Sequence, residues 1–129
     1  MMVSWLNLCG YEVTTTGSIG VTLSLTRRGG FDLLLLSGRY PDGLGVDLCK
    51  RIRAFDARTP IVFLSAYAYA TDIKEGLESG AQAYLAKPVD LNVLTHTIEQ
   101  LVIRRHAIPQ AFAPAKSSRA AGLIGSHSQ

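Results

Sequence analysis

Ser37, Ser65 and Lys87 are the side chains whose types suggest chemistry done together. Serine hydroxyls and a lysine amine can act as nucleophile and base, or can hold an anion. No phosphate-cradling glycine motif and no serine–histidine–acid set accompanies them. The other reactive groups are scattered. Cys9 and Cys49 lack the close spacing of a metal or redox pair and read as small buried apolar residues. His96, His106 and His127 have no partner at ligand spacing and read as surface residues. Asp42 lies in Pro41-Asp42-Gly43, which is turn chemistry in its own right. Neither a metal nor a cofactor is expected from these residues.

Charge narrows the function classes. Thirteen Lys and Arg stand against ten Asp and Glu, a formal +3. All ten acids and nine of the bases precede residue 104, so the body is slightly negative. Arg104, Arg105, Lys116 and Arg119 carry the positive excess. With Phe112 as their single aromatic companion, these sparse bases do not make a nucleic-acid surface. The 47% hydrophobic content fits a globular domain, and 129 residues suffice for one core. The aliphatic run Leu33–Leu36 is too short to cross a bilayer, and no charged-then-apolar signal opens the chain, so a cytoplasmic protein is expected.

The elements that must position the three residues alternate in type. Phe31–Leu36 and Ile61–Leu64 are apolar runs of strand length, and Ala83–Leu85 is a third, shorter one. Val46, Cys49, Ile52 and Phe55 form a helical stripe, with Lys50, Arg51 and Arg53 expected to face water. A short helix is predicted over 71–79, ended by Gly80, and a last one starts at Asp90 with Leu91, Leu94, Ile98 and Leu101 along one face. At the start, Met2, Trp5, Leu6 and Cys9 fit a helix stopping at Gly10, followed by a strand from Tyr11. Residues 18–26 alternate like a strand, yet the alternation of elements predicts a helix there. Strands apolar throughout and joined by helices imply a doubly wound α/β domain with a parallel sheet. The domain is expected to span 1–105, with 106–129 a flexible tail or linker stub.

Four motifs in order carry a family resemblance. They are Phe31–Leu36 with the loop Pro41-Asp42-Gly43 and Gly45, Pro60–Ala66 with Ser65, Gly80-Ala81 with Tyr84, and Lys87-Pro88. The segment from Gly10 to about Val102 resembles the receiver domain of response regulators in two-component signalling. The resemblance implies a flavodoxin-like fold. It makes Ser37 the equivalent of the phospho-accepting aspartate, Ser65 and Lys87 the phosphoryl contacts, and Tyr84 the switch aromatic. It also makes Lys87-Pro88 a candidate cis bond.

Two departures change the implied function. Ser37 is a neutral hydroxyl and cannot form an acyl phosphate. The family draws its other carboxylates from an acidic pair after a first strand, yet the chain opens in what resembles the first helix, and no Asp or Glu lies between Met1 and Gly10. Without carboxylates a Mg²⁺ site lacks its hard ligands. Lys87 is then either an anion ligand or a solvated lysine before a turn proline, and Ser65 a structural hydroxyl. The expectation is a non-enzymatic, degenerate receiver lacking its first strand, which acts on a protein partner of a two-component pathway or on itself. Its contact surface would be residues 70–103, with no membrane role, and nucleic acid reached only through a missing output domain. Two alternatives stay open: a small-ligand-binding or hydrolytic domain using Ser37, Ser65 and Lys87, and a fragment of a longer regulator with a misplaced start. The gap left by the first strand could close by direct pairing of its neighbours, by a strand from another copy, or by recruiting residues 18–26.

Overall fold

The computed structural model describes residues 2–107 and 122–126, with side chains through Arg104. In chain order the elements are α1 (Met2–Leu8), β1 (Glu12–Thr16), α2 (Ile19–Arg28), β2 (Phe31–Leu36), β3 (Arg39–Tyr40) and β4 (Gly43–Leu44). They continue with α3 (Gly45–Arg53), β5 (Ile61–Ser65), α4 (Ala70–Glu78), β6 (Ala83–Ala86), α5 (Leu91–Ala107) and β7 (Gly122–Ser126).

Strand β2 shows why the sheet must be covered twice. Its side chains alternate between faces, and both sets are leucines. Leu34 and Leu36 join Ile19, Leu23, Leu48, Ile52 and Phe63 beneath α2 and α3. Leu33 and Leu35 join Leu6, Val62, Leu94, Ile98 and Val102 beneath α1 and α5. The result is a five-stranded parallel sheet between two helical layers, ordered β1-β7-β2-β5-β6.

Residues 18–26 are helical, as the alternation of elements requires. Ile19, Thr22, Leu23 and Thr26 are buried at helical spacing. Threonine is tolerated there because its hydroxyl bonds back one turn: Thr22 Oγ1 donates to Ser18 O at 2.7 Å and Thr26 Oγ1 to Thr22 O at 2.9 Å. Ser18 caps the helix by accepting the Val21 N–H at 3.2 Å. Helices α1 and α4 give way to Gly10 and Gly80, whose φ values of 97° and 118° suit glycine.

Within the expected tail, one short described segment forms part of the sheet. Helix α5 runs to Ala107, and Gly122–Ser126 form β7 inside the sheet. No strand precedes α1 among the described residues, and β7 fills the place between β1 and β2 in parallel with both. None of the three anticipated repairs is the one seen. Residues 108–121 and 127–129 lie outside the described residues, as do His127 and the side chain of His106.

Arg53 also departs from expectation. It is half-buried rather than solvated: Nε and Nη2 donate to Gly80 O at 3.0 and 2.9 Å, and Nη1 to Asp56 O at 3.0 Å. It ties the end of α3 to the turn before β6. The cysteines fit their expected role, Cys49 fully buried and Cys9 half-buried against the α1–α5 face. Burial raises the Cys49 thiol above its ordinary pKa, which suits an unreactive core residue.

Candidate functional site

Parallel strands end together, so residues that follow them converge at one edge of the sheet. Ser37 follows β2, Ser65 ends β5, and Lys87 follows β6. The structure brings all three around one hollow, whose wall also includes Gly38, Arg39 and Tyr67. A second hollow places Met2 beside Ser37 and Lys87. These hollows are small, with cavity volumes of about 10 and 20 Å³. Pockets that enclose small molecules begin near 300 Å³.

Each site residue is held by its neighbours. Ser37 is 3% exposed, and its backbone N–H donates to Tyr40 Oη at 3.0 Å. Tyr40 was not legible as a site residue; an aromatic in a turn-rich stretch gives no signal of closing the loop that bears Ser37. Ser65 Oγ accepts the Tyr67 N–H at 3.0 Å, and the Lys87 N–H donates to Ser65 O at 2.9 Å. That last bond extends the β5–β6 ladder by one residue and fixes the start of the Lys87 side chain. The Lys87-Pro88 bond is cis, as the resemblance implied. Burial holds the Lys87 amine below its ordinary pKa.

Two glycines let the edge close. A Cβ on Gly38 would overlap Ser65 Oγ, and one on Gly45 would overlap the carbonyl oxygen of Ser37. The Gly45 N–H donates to Gly38 O at 2.9 Å, which sets α3 directly under the loop. Pro41 and Asp42 connect β3 and β4, a two-residue antiparallel pair with Tyr40 opposite Gly43. Asp42 does more than shape its turn. Its Oδ1 accepts the Ile19 N–H at 2.9 Å and Oδ2 the Gly20 N–H at 3.2 Å. It thus caps α2 from another part of the chain, and the Ile19 bond is the first cause of its lowered pKa.

Tyr84 packs as the resemblance places it. Its ring stacks on Phe63 with centroids 5.3 Å apart, and its hydroxyl donates to the Tyr67 carbonyl. Gly76 of α4 lies against that ring, where a Cβ would come within 2.7 Å of it. Arg39 stacks its guanidinium 4.5 Å over the Tyr67 ring.

The donor set can now be tested against a divalent cation. Hydroxyls of Ser37 and Ser65, with the cations Lys87 and Arg39, line the main hollow. Among the described residues no carboxylate lines either hollow beside Lys87; Asp72 and Glu75 line the adjoining hollow that shares Gly38, Arg39 and Tyr67, and no cluster of acids, histidines or cysteines is arranged for a metal. The groups beside Lys87 offer a cation repulsion rather than hard anionic ligands. They do not fit Mg²⁺.

Doubly wound sheet, β-strand edge site and the cis peptide together define a receiver-type domain. The chain belongs to the response regulator receiver domain family, which residues 1–99 match. It is similar to the nisin biosynthesis regulatory protein NisR of Lactococcus lactis subsp. lactis, at 37% identity over 112 residues that cover 84% of this chain and 48% of that one. The transcriptional regulatory protein ZraR of Escherichia coli K12 is 32% identical over 116 residues, covering 90% of this chain and 26% of that one. The chain thus spans about half the length of the first relative and a quarter of the second. A CheY-like receiver domain protein from Methanospirillum hungatei JF-1 superposes with a TM-score of 0.79 at 24% identity, covering 84% of this chain and 86% of that one. That likeness is one of fold. No helix among the described residues is long and apolar enough to cross a membrane.

Proposed function

We propose that this receiver domain works by protein–protein contact, without aspartyl phosphorylation and without catalysis of its own. The observation that carries this is the residue set of the hollow: Ser65, Lys87 and Arg39 stand around a serine at the acceptor position, where a phosphoryl-accepting site needs carboxylates. The strand lying between β1 and β2 reads Gly-Leu-Ile-Gly-Ser and supplies no acid either. Ser37 is then the acceptor-position equivalent, Ser65 and Lys87 are the phosphoryl-contact equivalents, and Tyr84 is the switch-aromatic equivalent. None of them is a catalytic residue. Pro41, Asp42, Gly43 and Gly45 serve the loop after the acceptor position.

The partner surface we assign to α4, β6 and α5. Strand β6 is an edge of the sheet. Beside it Tyr69 is 78% and Ile103 60% exposed, and Leu77 and Val93 are exposed as well. Exposed large apolar side chains on α4 and α5 suit a protein partner of a two-component pathway. Nucleic acid would be engaged only through a further domain.

Calorimetric titration with Mg²⁺ tests the donor set. The expected result is no saturable heat in the millimolar range, for wild type and for Ser37→Ala alike. Saturable binding that Ser37→Ala abolishes would overturn the assignment.

A further inference from the structure

Strand β1 meets one neighbour in the sheet, and that neighbour comes from the far end of the chain. All five residues of β1 pair with β7, from Glu12 opposite Gly122 to Thr16 opposite Ser126. On the other side Gly122, Leu123 and Ile124 pair with Phe31, Leu33 and Leu34, across a register irregularity between Phe31 and Leu33. The groove that β7 fills is therefore a backbone ladder on both edges.

We propose that this groove is a strand-acceptor site for the Gly122–Ser126 segment of a second copy of this chain. Its resident ligand is Gly122–Ser126, which the same segment of a second copy can replace. Three observations support exchange. A ladder made by backbone groups selects a direction and an extended shape rather than a sequence. Two of the five resident residues are glycine, which loses the most freedom on ordering and packs nothing, so the resident is weakly held. And the strand is the last element among the described residues, so no tight turn ties it to either neighbour in the sheet. The groove cannot simply stay empty. The leucines of β2 that flank it are buried on both faces of the sheet, and backbone groups at that depth require partners. This inference is independent of whether the Ser37 site accepts phosphate.

The test uses the full chain, an Ile124→Pro variant, and a fluorescent synthetic peptide of residues 119–129. Proline removes the strand N–H, so the variant's own segment pairs poorly. Amide exchange at Val13–Thr16 should speed up at least about tenfold in the variant, and excess peptide should restore protection there. The labelled peptide should bind the variant at least about tenfold more tightly than wild type, where the resident competes. A variant that does not fold alone should fold on adding peptide, read by circular dichroism and by Trp5 fluorescence. Unchanged β1 protection in the variant would overturn the proposal. So would equal peptide affinity for both chains, or a variant left unprotected or unfolded in millimolar peptide.

Discussion

Asp42 anchors the residue scale, because one carboxylate joins the acceptor loop to the start of α2. Its folded pKa lies below the ordinary 3.8, first through the Ile19 N–H. A depressed carboxyl contributes stability that is present above the unfolded pKa and lost as pH falls through the folded one. Asp42→Asn should therefore lower the melting temperature at neutral pH, and the gap to wild type should close by about pH 2. A gap that stays constant with pH would assign the effect to shape rather than charge. Lys87 has the opposite sign. Burial lowers its folded pKa, so the charged amine opposes folding until pH rises above that value. Lys87→Met should melt no lower than wild type at neutral pH in thermal denaturation. Gly76 completes this scale. Alanine there gains helix propensity but drives a Cβ into the Tyr84 ring, and rings do not yield. Gly76→Ala should cost roughly 1–3 kcal/mol by urea denaturation and shift the Tyr84 ring resonances.

The elements divide by how local their causes are. Strands β2 and β5 were legible because Leu33–Leu36 and Ile61–Leu64 are unbroken apolar runs, and α5 because its stripe is long. Helix α2 was legible only through the order of elements; its alternating letters favoured a strand, and the back-bonded hydroxyls of Thr22 and Thr26 decided otherwise. Strand β7 was not legible. Gly-Leu-Ile-Gly-Ser has no sustained period, and its place depends on an open ladder far away in sequence. The same reason hid the reach of Asp42 across to Ile19 and of Arg53 to Gly80. The three site positions behaved differently: Ser37, Ser65 and Lys87 were found because each follows a recognisable strand, and parallel strands must end at one edge. A test at this scale uses β2, the strand all else packs on. Leu35→Ala should lose roughly 2–5 kcal/mol, since the side chain is buried between α1 and α5 and nothing nearby can collapse into the gap.

At the scale of the molecule, a receiver fold persists around a site whose charge is inverted. Trp5 Nε1 donates to Thr95 Oγ1 at 2.7 Å and locks α1 to α5, and Arg53 locks α3 to the α4–β6 turn. These ties, with two leucine-built cores, hold the sheet between its helical layers. Under the proposed function, the domain works through its exposed α4–β6–α5 face without aspartyl phosphorylation. Incubation with acetyl phosphate and Mg²⁺, followed by intact-mass analysis of wild type and of Ser37→Asp, tests this most directly. The account predicts no added phosphate on either chain, because restoring the acceptor does not restore the missing metal ligands. A hydroxylamine-labile phosphate on any aspartate of the wild-type chain, or on the new Asp of the variant, would contradict it.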